Sequence, residues 1–105
     1  MDLGIAGKVA LVTGGSRGIG KQSALALAGE GVNVAICGRT QDTLDVAVKE
    51  ISSLGVKSFG FICDVSDISQ VQVLYDSVTC HMGAVDILVN NVGGSLSRED
   101  ILGTN

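Results

Sequence analysis

Apolar positions along the chain fall into two alternating rhythms. Short runs rich in β-branched residues, "KVALVT" (8–13), "NVAICG" (33–38), "KSFGFIC" (57–63) and "VDILVN" (85–90), read as strands. Between them the period lengthens. Residues 17–30 contain "ALALA", strong helix formers, and Gly31 follows as a C-terminal cap. Leu44, Ala47, Val48 and Ile51 recur at i, i+3, i+4 and i+7, ending at Gly55. Val71, Leu74, Tyr75 and Val78 repeat that spacing, with Asp67 placed to cap the start and Gly83 following the end. The predicted order is therefore β-α-β-α-β-α-β. Such alternation calls for a parallel sheet with helices on its faces and right-handed crossovers. The near-continuous apolar strands predict burial on both sides. With no linker, repeat or low-complexity segment, residues 1–105 read as part of a single domain.

The first predicted strand runs directly into "TGGSRGIG", Thr13 to Gly20, where four of eight positions are glycine. Inside a helix or strand each would cost roughly 0.5–1 kcal/mol relative to alanine. At the turn into a helix they have a use. A helix N-terminus presents unpaired N–H groups and a partial positive charge, and bare backbone lets a diphosphate approach it closely. In open α/β sheets, ligands bind at this carboxyl end of the strands. The alternative is a tight turn with no ligand. Placement after a first strand and before a helix favours the ligand, although the spacing Gly14-x-x-x-Gly18-x-Gly20 is not the commoner GxGxxG.

Composition narrows the choices further. Hydrophobic residues make up 46% and charged residues 17%, which excludes a disordered chain. The formal net charge of -4 and the scarcity of aromatics (Phe59, Phe61 and Tyr75) argue against a nucleic-acid partner or an anionic membrane surface. The opening "MDLGIAG" carries an acid where a secretory signal would carry basic residues, and no apolar run is long enough for a membrane span. Cys37, Cys63 and Cys80 are odd in number and lack CxxC spacing. They suit a reduced, cytoplasmic protein with neither disulfide nor metal site.

Three stretches, met in order, carry a family resemblance. "TGGSRGIG" resembles the TGxxxGxG signature of short-chain dehydrogenases/reductases. "CDVSD" (63–67) looks like the end of that family's third strand, and "NNVGG" (90–94) like its NNAG motif, with Val92 in place of alanine. The resemblance runs from Gly7 to about Gly94 and implies a Rossmann-type α/β fold, a doubly wound parallel sheet in the order 3-2-1-4 that stops before a fifth strand. Carried over by position, it implies that Gly14, Ser16, Arg17, Gly18, Ile19 and Gly20 line the phosphates and ribose of a dinucleotide. Asp64 and Val65 would hold the adenine edge, and Asn91 and Gly93 the adenosine ribose and nicotinamide side. Asp64 could instead simply cap or solvate a strand end, and Asn90 could support the strand-four turn without touching a cofactor.

Folds that bind NAD usually place an acid at the end of strand two, for the ribose 2′-hydroxyl. Here that position holds Arg39, in "CGRTQD". With Arg17 in the glycine turn, it predicts NADP(H), because guanidinium forks suit a 2′-phosphate. The opposing reading makes Arg39 a surface residue and lets Asp42 supply the acid.

The resemblance also implies carbonyl reduction or secondary-alcohol oxidation of a small molecule, through a Tyr-x-x-x-Lys pair and a Ser. None has a counterpart here. The only tyrosine, Tyr75, is followed four residues on by Thr79 and lies on an apolar helix face. His81 stands alone near a helix end. No catalytic residue is assigned, and the chain is expected to be the inactive N-terminal part of a longer enzyme that is a dimer or tetramer when complete. The plain opening looks most like 3-oxoacyl-acyl-carrier-protein reductases. A catalytically silent dinucleotide-binding or interaction module is the competing class. Without a fifth strand, the edge of "DILVN" (86–90) is expected to make the chain marginally stable or self-associating.

Overall fold

The two rhythms become strands and helices in strict alternation. The computed structural model describes residues 5–14, 18–64 and 66–90. The elements are β1 (Val9–Thr13), α1 (Gly18–Gly29), β2 (Asn33–Gly38), α2 (Gln41–Ser52), β3 (Ser58–Ile62), α3 (Ile68–Met82) and β4 (Ile87–Asn90). All strand pairs are parallel, in the order β3-β2-β1-β4. Leu11 at the centre of β1 stands between Ala35 of β2 and Leu88 of β4, and Ala35 in turn faces Phe59 of β3.

Because side chains alternate across a strand, this register sorts the apolar residues into two cores. Ala10, Val12, Val34 and Ile36 face α1 and α2, meeting Ala24, Ala28, Leu44, Ala47 and Ile51. Val9, Leu11, Ala35 and Cys37 face the other way, onto Val71, Leu74 and Val78 of α3. Tyr75 packs half-buried against this second core, as its place on the apolar face predicts. The described residues thus form a doubly wound, Rossmann-type sheet with two helices on one side and one on the other. Burial on both faces holds for β1 and for the middle of β2 only. β3 and β4 are half-exposed, because in the described residues each has a single neighbouring strand.

Helix ends follow local chemistry. Gly20, Ala24 and Ala28 form the buried stripe of α1, and these small side chains let the helix lie close on the sheet. The chain leaves α1 through Gly31, where the Val32 N–H returns to the Leu27 carbonyl at 3.1 Å. Asp67 caps α3, its carboxylate accepting the Ser69 N–H at 3.0 Å and the Ser69 hydroxyl at 2.7 Å. The sheet is stitched at both ends. The Asp86 carboxylate accepts the Val9 N–H at 3.0 Å, while the Asp86 N–H donates to the Val9 carbonyl at 2.8 Å. At the opposite end, the buried Thr13 hydroxyl donates to Asn90 Oδ1 at 3.0 Å. That contact makes Asn90 a tie between β4 and β1.

Candidate functional site

Parallel pairing brings the carboxyl ends of all four strands to one rim, where the sequence places most of its candidate residues. Gly14 leaves β1 with φ +68°, and its N–H still reaches across to the Cys37 carbonyl of β2 at 3.1 Å. Gly18 opens α1 with φ +63°. Both sit in the left-handed region that side chains disfavour. A Cβ built on Gly18 would meet nothing within 4 Å, so that side of the turn is open space. Gly20 is buried one position after Ile19, whose side chain is 78% exposed and has no place in either core. Ser16, Arg17, Val65, Asn91 and Gly93 lie outside the described residues.

Arg39 directly follows β2 and is exposed; Asp64 lies two residues beyond β3. Hydrogen bonds from the Ser66 hydroxyl (2.7 Å) and N–H (3.0 Å) hold the Asp64 carboxyl below its ordinary range, and the nearby Arg39 charge adds to this. Partial burial and the neighbouring Asp67 charge oppose the shift without reversing it. The fold therefore brings Arg39 and Asp64, 25 positions apart in sequence, close enough to feel one another's charge. Asp67 is lowered in the same manner, chiefly by the Ser69 hydroxyl and N–H. The turn that Asp64 makes with Ser66 is real, and its main chain is also held from outside that turn. Gln70 Oε1 accepts the Asp64 N–H at 2.9 Å, and Gln70 Nε2 lies 3.4 Å from Asp67 Oδ2.

Gln70 was not singled out from the sequence, yet a signal was there. Asp67-x-x-Gln70 has capping-box spacing, in which the glutamine reaches back to the start of its own helix. Here it reaches further, to Asp64. Beneath the rim, the Cys37 and Cys63 thiols are free and buried. Burial pushes Cys37 up to about 12 and raises Cys63 as well, so both serve as small apolar fillers. His81 lies at the far end of α3. Its Nδ1 is 2.8 Å from the Ser77 carbonyl, and its ring sits 5.6 Å from Phe59 and 5.8 Å from Phe61. Among the described residues no cluster could hold a metal ion, and no helix is long and apolar enough to cross a membrane.

Comparison with known proteins points one way. The family profile described as short chain dehydrogenase matches residues 8–102. A 3-oxoacyl-acyl-carrier-protein reductase of Staphylococcus aureus is 42% identical over 96 residues, covering 90% of this chain and 38% of the relative. The L-sorbose reductase of Gluconobacter frateurii, solved with NADPH and L-sorbose, superposes with a TM-score of 0.84 at 38% identity, over 91% of this chain and 37% of that one. An NAD+-bound xylitol dehydrogenase gives a TM-score of 0.82 at 37% identity, over 86% of this chain and 35% of that one. The chain spans just over a third of the length of the curated relatives it matches.

Proposed function

The chain belongs to the short chain dehydrogenase family, and from that premise we propose that it is the NADP(H)-binding portion of an oxidoreductase interconverting a small-molecule carbonyl and a secondary alcohol. The observation that carries the reading is the pair of left-handed glycines, Gly14 leaving β1 and Gly18 opening α1 with open space where a Cβ would stand, at the carboxyl rim of a parallel sheet. The residues present suit a dinucleotide. Left-handed glycines at a helix N-terminus suit a diphosphate, and a carboxylate with its own hydrogen-bonded turn stands on the same rim beyond the end of β3.

In this reading the turn from Gly14 through Ser16, Arg17, Gly18 and Ile19 to Gly20 holds the diphosphate and ribose. Asp64 and Val65 border the adenine, and Asn91 and Gly93 lie along the adenosine ribose and nicotinamide side. Arg39 and Arg17 take the 2′-phosphate. Support for NADP(H) comes from the exposed Arg39 at the end of β2, beside Asp64, and from the NADPH-bound sorbose reductase; the NAD+-bound xylitol dehydrogenase marks the alternative. When bound, the nicotinamide supplies or accepts the hydride. This chain's own residues orient it and neutralise phosphate charge. The Tyr-x-x-x-Lys pair expected of the family has no counterpart in these 105 residues, so no proton-transfer step is assigned to them. The likeness to 3-oxoacyl-acyl-carrier-protein reductases makes a 3-oxoacyl thioester the first substrate to try with the whole enzyme.

Calorimetric titration with NADPH and NADH tests the cofactor. NADPH should bind more tightly. Arg39→Asp should weaken NADPH roughly tenfold to a hundredfold, the worth of one hydrogen bond to a charged group, and leave NADH unchanged or improved. Equal or tighter binding of NADH by the unaltered chain, or an Arg39→Asp variant with undiminished NADPH affinity, would refute the assignment.

A further inference from the structure

We propose that the open edge of β3 is a self-association surface, on which a second copy of this chain lays its own β3 antiparallel about a two-fold axis at Gly60. Among the described residues, β3 hydrogen-bonds only to β2. The bonds that bracket it, Val34 N–H to the Lys57 carbonyl and Cys63 N–H to the Gly38 carbonyl, fix which main-chain groups are spent. In a parallel ladder alternate residues bond to the neighbour, so 57, 59, 61 and 63 turn toward β2. Ser58, Gly60 and Ile62 turn their N–H and C=O outward. From Ser58 to Ile62 the edge has no charge and no proline, the usual devices that keep such edges apart. Ile62 is 59% exposed.

The pattern of outward groups selects both the partner and the register. An antiparallel pair exchanges both bonds only where an outward residue faces an outward residue. Centred on Gly60, Ser58 meets the partner's Ile62, Gly60 meets the partner's Gly60, and Ile62 meets the partner's Ser58. Every outward group is then used, and sliding by two residues loses at least one pair. The arrangement is isologous and closes on itself. The same register sets Phe59 opposite the partner's Phe61 twice, at the non-hydrogen-bonded sites where side chains come closest. Charge agrees: Lys57 flanks one end of the strand and Asp64 the other, so antiparallel copies bring opposite charges together while parallel copies would stack like ones. Beside the edge lies a cleft of about 250 Å³, lined by Phe61, Ile62, Val73 and Leu74 together with Ser69, Gln70 and Ser77.

Sedimentation velocity on the 105-residue chain should show a mass rising with concentration from 10.7 kDa toward twice that value. Amide exchange by NMR should slow at Ser58, Gly60 and Ile62 as concentration rises. Ile62→Lys, on a side chain outside both cores, should return the chain to monomer with its far-ultraviolet dichroism unchanged. Three results would overturn the proposal: a monomer at every concentration, protection that rises along Ile87–Asn90 instead, or association that survives Ile62→Lys. Exchange at the three amides is read on the unaltered chain and so stands whether or not the variant folds.

Discussion

Asp64 and Asp67 show how a short loop makes its own acid sensitivity. Each carboxylate is held by the N–H and hydroxyl of a serine two residues on. Those bonds favour the charged form, so each folded-state pKa lies below the unfolded value of about 3.9. The stability they contribute is complete above that value and is lost as pH falls through the folded one. Thermal melting should therefore be flat from neutral pH down to about 5 and decline below about 4. Asp64→Asn with Asp67→Asn should flatten the acid limb, because an amide does not titrate; an unchanged limb would place the acid sensitivity elsewhere. Residues of this kind were only half legible. Asp67 announced itself as a cap by standing before a helical period. The hold of Gln70 on Asp64 was not readable, because it depends on where β3 ends relative to α3.

At the scale of elements, β3 and α2 meet over a glycine. Leu44 and Val48 of α2 lie where a side chain on Gly60 would be: a Cβ there would come within 3.0 Å of Val48 Cγ2 and 3.3 Å of Leu44 Cβ. The bare position lets the helix settle on the strand. Gly60→Val should cost about 1–3 kcal/mol of unfolding free energy, as overpacking generally does. Val48→Ala in the same chain should recover part of the loss, and urea unfolding of the single and double variants measures both. The elements themselves were legible because each carries one clean period. Leu44, Ala47 and Ile51 are all buried, as i, i+3 and i+7 spacing requires. What periodicity could not give was exposure at the margins: "KSFGFIC" reads like "NVAICG", but only the second runs through the middle of the sheet. Strand order decides that, and order is a property of the whole sheet.

For the whole molecule, β1 and β2 are the axis on which both cores depend. Leu11 and Ile36 are fully buried, on opposite faces of the sheet. Leu11→Ala should cost about 2–5 kcal/mol. Val46→Ala, on a side chain 56% exposed, should stay within about 0.5 kcal/mol. Denaturant midpoints separate the two, and near-equal losses would contradict the two-core description. The rim where candidate residues gather was legible from the glycine turn alone, since a parallel sheet leaves only one end for it. The approach of Arg39 to Asp64 was not legible in the sequence, because nothing local links the tips of β2 and β3. One consequence reaches into the making of the molecule. β1 is the first strand to be synthesised, yet its Val9 and Thr13 find their last partners, Asp86 and Asn90, 77 positions later. Loop closure over such a span is entropically costly, and topologies dominated by distant contacts fold slowly. A nascent chain must therefore carry its most apolar strand half-clothed until β4 leaves the ribosome, which puts the greatest risk of misassociation during translation.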